Sequence, residues 1–507
     1  MTTTDVAGPE LRSRDRKVIA TLLVATFVVI LNETIMGVAL PVLMVDLDLT
    51  ASTVQWLTTA FMLTMAVVIP TTGFLLQRFS TRTVYAAALG LFSTGTLLAG
   101  IAPGFWVLLL GRVVQASGTA IMLPLLMTTI LTLVPLERRG VVMGNVSIAI
   151  SVAPAIGPTL SGLILQFLSW RFMFLLVLPI ALAALVYGLR GLVNVNADGD
   201  QPLDLPSVAL SVPAFGGIVF GLSRLGESGD AASAWVAPVS LVVGVACLVL
   251  FVLRQRALVN GKGPLLDLRA FEFTMFRRGV ALLCIAAVAL FGAIILLPIY
   301  FQNVRGLNTL GTGMLLLPGG LLMGLLGPVV GRLFDRYGPR WLSTGGATLL
   351  VLTMLALTQV GPTTPIPLLL GIHLVLSTGL AFLFTPAFTT ALNPLTPKLY
   401  SHGSAILSTL QQVAGAAGVA LLVTIMTLRT AGAASRGADE IAAEVAGLHL
   451  AFLVAAGIGL VAVALALTLR RTEAVPEPGE VTAAADSAEA VQPPAAHQPI
   501  PAVGEDR

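Results

Sequence analysis

Residues 28–43 read VVILNETIMGVALPVL, with an acidic residue, Glu33, in the middle of an apolar run that extends from residue 18 to 43. A run of that length crosses a ~30 Å hydrocarbon layer as a helix. A charge near the midplane costs about 2.5–3.5 kcal/mol on insertion scales and usually faces a cavity that serves transport. The stretch therefore predicts a membrane helix whose carboxyl group has a task.

The rest of the chain bears out the membrane setting. Its 507 residues are 56% hydrophobic and only 10% charged, with a mean hydropathy of +0.94, whereas a soluble protein carries roughly 25% charged residues. Long apolar runs recur at residues 18–43, 54–76, 84–102, 105–131, 140–166, 170–190, 205–223, 235–255, 279–302, 311–333, 341–360, 365–391, 403–428 and 447–469. These are fourteen expected spans, and an even number puts both termini on one side. The first run is too long for a signal-peptide core and no small-residue cleavage site closes it, so it reads as a retained span. Cys247 and Cys284 both fall in apolar runs and imply no disulfide framework.

Basic residues choose the side. Arg12, Arg14, Arg16 and Lys17 precede the first span, Arg78 and Arg82 follow the second, and Arg138 and Arg139 follow the fourth. Arg254, Arg256, Lys262, Arg269, Arg277 and Arg278 lie between the eighth and ninth, and Arg332, Arg336 and Arg340 follow the tenth. The alternate loops hold scattered exceptions such as Arg171, Arg224, Arg305, Arg429 and Arg436. The basic loops are expected on the cytoplasmic side of the inner cell membrane, with residues 1–17 as a cytoplasmic lead and 470–507, rich in Ala, Pro and Glu, as a disordered cytoplasmic tail.

One loop occurs twice. GFLLQRFSTR begins at Gly73 and GRLFDRYGPR at Gly331, sharing Gly, Leu, Arg and Arg at the same spacing, 258 residues apart (331 − 73). Two six-helix halves, residues 18–190 and 279–469, with two additional helices and a linker at 191–278, account for that offset, and internal duplication is a mark of secondary transporters.

With these stretches in view, the chain resembles the major facilitator superfamily, and within it the fourteen-span drug:proton antiporter branch. GRLFDRYGPR fits the superfamily's loop pattern nearly in full; in the first copy Gln77 replaces the acid and Ser80 the glycine. GRVVQASGTA, with Arg112, is similar to the fourth-span pattern, and APAIGPTLSG, with Pro154, Gly157 and Pro158, to the antiporter pattern of the fifth. LNETIMGVALP resembles the branch's first-span motif, with Asn32 in place of its usual Asp and Glu33 supplying an acid one place later. QWLTTAFML in the second span and LQQVAGAAGVAL in the thirteenth are also similar to branch stretches. The resemblance implies an all-α transporter and a cytoplasmic gate built from Gly73, Arg78, Gly331, Asp335, Arg336 and Arg340, in which Asp335 exchanges ion pairs with Arg336 and Arg340 as the halves rock.

Glu33 and Arg112 are the charged residues deep in the expected spans, at depths that differ by only about 5 Å at ~1.5 Å per residue. Burial favours a neutral carboxyl and a nearby guanidinium favours an ionised one. A conformational change that alters either balance switches proton affinity, so Glu33 is the expected proton carrier and Arg112, which keeps its proton, tunes it. A static buried pair that only fixes helix packing is the plainer reading of the same residues. Asn32, Met36, Trp56 and Phe61 are candidates for an adaptable substrate cavity and equally for lipid or helix contacts. His373 reads as a satisfied interior histidine, and Gly415 and Gly418 as packing residues.

No phosphate loop and no metal-binding pattern occurs, so the expectation is a secondary transporter rather than an enzyme, with no cofactor and the proton gradient as its energy source. Expected partners are protons, the lipid bilayer and a small amphipathic substrate, with no nucleic acid and a functional monomer. One deep acid predicts about one proton per cycle, and hence neutral or monovalent substrates over divalent ones. Export of drugs, antibiotics or biocides leads; export of one self-made metabolite or lipid flipping remains open, and a membrane sensor or enzyme is the distant alternative.

Overall fold

The computed structural model describes residues 13–194, 202–225, 235–259, 261 and 263–471. The expected lead before residue 13 and tail after residue 471 lie outside the described residues.

Fourteen helices in these residues are long and apolar enough to span a membrane, one for each run read from the sequence. They are α1 (Ser13–Asp46), α2 (Ala51–Arg78), α3 (Thr81–Gly100), α4 (Phe105–Leu133) and α5 (Arg139–Phe167), then α6 (Phe172–Gly191) and α7 (Leu205–Leu225). After them come α8 (Val236–Leu258), α9 (Thr274–Ile299), α10 (Thr309–Tyr337), α11 (Pro339–Leu357), α12 (Ile366–Leu392), α13 (Tyr400–Ala434) and α14 (Glu440–Leu467). Their boundaries carry ordinary stop and start chemistry. Thr50, Ser80, Asn308 and Asp439 cap α2, α3, α10 and α14 by accepting from the backbone N–H three residues on. Gly338 ends α10 at φ +78°, a conformation that favours glycine, and Pro339 opens α11.

Helices α1–α6 pack together, as do α9–α14, and the two groups meet chiefly where α5 lies along α10 and α2 along α13. Along the first of these seams the backbones nearly touch: a Cβ on Gly144 would collide with the Gly327 backbone, and one on Gly331 with that of Gly140. Gly415 and Gly418 of α13 likewise press on Phe291 and Val288 of α9, as their spacing suggested. The additional pair, α7 and α8, sits against α2 and α13, and α8 turns a row of exposed valines outward, among them Val239, Val242 and Val249. Asp204 caps α7 through Ser207 and receives both prongs of Arg254 from α8 at 2.7 and 2.8 Å. That guanidinium holds the Asp204 carboxyl well below the usual carboxylate range.

One end of the bundle gathers the ends of α2, α10 and α14 and the starts of α5 and α13, with Arg78, Arg139, Arg336, Lys398 and Arg471 among its residues. It is termed the basic face below.

Candidate functional site

The interior site is assembled from five helices of the first half. Arg112 on α4 is 1% exposed, and its guanidinium carbon lies 4.0 Å above the centre of the Phe61 ring from α2, a cation–π arrangement. Its Nη1 donates to Gln115 Oε1 at 2.6 Å; Gln115 Nε2 donates to Thr96 Oγ1 on α3 at 2.7 Å; and Thr96 donates to the Phe92 carbonyl at 2.6 Å. These bonds tie one prong of the guanidinium to α3 through Gln115, while its Nε is buried with no hydrogen-bond partner. Glu33 on α1 is half-buried. A Coulombic interaction couples it to Arg112, yet no hydrogen bond or ion pair joins the two among the described residues. The static paired salt bridge is thus absent from this conformation, and the carboxyl group remains free to take another partner.

α5 clamps α1 at the two residues that follow that carboxyl. Gly157 packs so closely on Thr34 that a Cβ there would meet the Thr34 Cβ at 3.0 Å, and Ser161 donates to the Ile35 carbonyl at 3.1 Å. Thr34 Oγ1 lies 2.9 Å from the Leu31 carbonyl and 3.5 Å from that of Ala153. Pro154 and Pro158 flank this contact. The pattern in α5 is therefore applied directly to the turn of α1 that bears Glu33.

The expected cavity residues do not stay together. Asn32, Met36 and Phe61 are 2%, 2% and 1% exposed in this conformation. Asn32 Oδ1 is buried without a hydrogen-bond partner, and Phe61 serves as the floor of Arg112. Trp56 departs from the group altogether. It stacks on Phe220 of α7 at 5.8 Å, with Arg224 over both rings, because the additional helix pair covers that end of α2.

At the basic face the two halves are latched. Asp335 Oδ1 and Oδ2 accept from the backbone N–H groups of Gly140 and Val141, at 2.9 and 3.0 Å, where the first turn of α5 has unsatisfied donors. Gln77 Nε2 donates to the Lys398 carbonyl at 2.9 Å. Arg139, absent from the sequence-derived site, donates to the Leu131 and Val134 carbonyls at the end of α4 and to the Tyr400 hydroxyl across the seam. Ser147 and Thr385 form a further bond between the halves at 2.7 Å. Gly73 rests on His402 and Gly331 on Gly140. The gate expectation needs correction in its pairing: here Asp335 has backbone amides as partners rather than Arg336 or Arg340. Those arginines are exposed and lie over Tyr337 and Trp341, since a carboxylate at a helix start already has its donors. Arg78 borders a groove between the ends of α2 and α7.

A duplicated six-helix architecture with two helices inserted between its halves matches a known family model, the Major Facilitator Superfamily, over residues 22–419. The chain belongs to this superfamily. It is 40% identical to the MFS-type transporter YcnB of Bacillus subtilis over 90% of this chain and 95% of that one. It is 41% identical to the lincomycin resistance protein LmrB of Listeria monocytogenes over 81% of this chain and 86% of that one. The fold is shared with the human organic anion transporter MFSD10, at a TM-score of 0.63 and 15% identity, covering 89% of this chain and 99% of that one. This superfamily member is a multi-pass membrane transporter, not an enzyme.

Proposed function

We propose that this transporter exports amphipathic compounds, antibiotics and biocides among them, in exchange for protons. The reading places the basic face and both termini on the cytoplasmic side of the cell membrane, in keeping with the distribution of arginine and lysine. The observation that carries it is Glu33: an acid deep in α1, within the field of the buried Arg112 but, among the described residues, joined to it by no hydrogen bond or ion pair. Such a group binds or releases a proton as its surroundings change. Proton and substrate need not meet, since it suffices that they favour opposite conformations. The latched basic face fits one of those conformations. Its opening would expose the substrate path to the cytoplasm, and likeness to a protein named for lincomycin resistance supports an antibiotic among the substrates.

The test is export in sealed vesicles with an imposed pH gradient, using ethidium and lincomycin as probes. Gradient-dependent movement of either compound, lost in Glu33→Gln at equal insertion, is the expected result. Export that ignores the gradient, or that survives Glu33→Gln, would refute proton exchange at this residue.

A further inference from the structure

The duplication aligns more than the two loops. α2 begins at Ala51 and α10 at Thr309 (309 − 51 = 258), whereas α4 begins at Phe105 and α12 at Ile366 (366 − 105 = 261). The first step carries Phe61 to Gly319 and the second carries Arg112 to His373. These counterparts also touch. Where Arg112 lies over the Phe61 ring, the His373 imidazole fills the space that a side chain on Gly319 would need. The first half thus holds a permanent cation on an aromatic floor, and the second a titratable ring in a gap left by glycine.

The ring is half satisfied. His373 Nε2 lies 3.1 Å from the Leu316 carbonyl of α10 and so carries a proton. Nδ1 is then the lone-pair nitrogen, and it is buried with no partner, unlike the satisfied interior histidine expected from the sequence. The Leu316 carbonyl and Gly319 lie against the ring and Ser377 Oγ borders the same gap, none of them charged. The position is also tied to the first half. Gly319 adjoins Gly320, which packs on Ala155 and the Ser151 carbonyl of α5, and Gly157 two residues further along α5 packs on Thr34 beside Glu33. α1, α5, α10 and α12 form an unbroken layer from Glu33 to His373.

We infer that His373 is a second proton-binding site, in the C-terminal half, taking a proton on Nδ1 while Nε2 keeps its bond to Leu316. The place of this site in a transport cycle rests on the proton-exchange reading above; its existence does not. With two sites a cycle exchanges two protons for one substrate. Export of a monocation then moves one net charge and responds to voltage by about fiftyfold in concentration ratio per 100 mV. With Glu33 alone it responds to the pH gradient and not to voltage.

The experiment is side-chain 15N NMR of histidine-labelled protein in lipid nanodiscs between pH 8 and pH 5. The chain has four histidines, and His373→Gln identifies the relevant signal. If that variant fails to insert, His402→Gln, His449→Gln and His497→Gln identify it by elimination. The expected result is a His373 signal that passes from one protonated nitrogen to two within this range, with its midpoint moved in Glu33→Gln. A signal that stays neutral to pH 5 overturns the site. In vesicles, voltage-driven ethidium export in the wild type that becomes voltage-independent in His373→Gln supports two protons; wild-type export that responds to pH alone overturns them. Titration of His373 in a protein that moves no ethidium sustains the site and overturns the export reading instead.

Discussion

The repeated loop and the helix interiors differ in their acids between the two halves. The first has Glu33 deep in the bundle and an uncharged Gln77 at the basic face; the second has Asp335 at the basic face and no acid at depth, with His373 opposite Arg112. The loops nevertheless make equivalent reaches. Gln77 at the end of α2 bonds the start of α13, and Asp335 at the end of α10 bonds the start of α5. A carboxylate meets two backbone donors and the positive end of a helix, whereas an amide gives one neutral bond to a carbonyl. A duplicated fold can thus keep one geometry in both halves while one fastens and the other binds.

If that division holds, substitutions should separate by half. The largest effect belongs to the first half's interior: Glu33→Gln should lower pH-driven export at least a hundredfold in vesicles at normal insertion. Next, Arg112→Ala should impair export more severely than Arg112→Lys, because lysine keeps the charge but loses the planar fork that meets Gln115 and covers Phe61. Normal export by both would reduce Arg112 to packing.

At the basic face Asp335→Asn should slow turnover roughly tenfold, as loss of one charge-assisted pair of bonds worth ~1.5–3 kcal/mol allows. Gln77→Asn should stay within about twofold. Equal slowing by these two, measured as initial rates, would erase the distinction between the loops. The smallest effect is predicted outside both latches. With its carboxyl held below the usual range by Arg254, Asp204 contributes its full stabilisation above the ordinary value near ~3.9 and loses it only in stronger acid. Asp204→Asn should therefore leave the shape of the transport pH profile between pH 5 and 8 unchanged.

Hydropathy and charge were enough to find every span and to single out Glu33 and Arg112, because a charge inside an apolar run is visible without knowing its neighbours. The Gln115 contact was within reach too, since residues three apart share a helix face. What escaped depends on which helix lies alongside. Trp56 reads as a cavity residue until α7 is seen to cover it, and Phe61 until Arg112 is seen above it. The partner of Asp335 is backbone, which has no signature in the sequence. The correspondence of His373 with Arg112 was masked by three extra residues from the start of α11 to the start of α12, which shift the repeat from 258 to 261.

The glycine contacts between α5 and α10 have a mechanical consequence. Surfaces that interlock through side chains must pass over rotamer barriers in order to slide. Here Gly140, Gly144, Gly327 and Gly331 bring bare backbone against backbone, so this end of the joint resembles a smooth bearing, whereas Ala155 and Val152 fit against Gly320 and Gly324 farther along it. Resistance to rotation then resides in the fastenings at its rim. A single methyl group, as in Gly144→Ala, would act as grit: the helices would still insert and pack nearby, but the joint would bind.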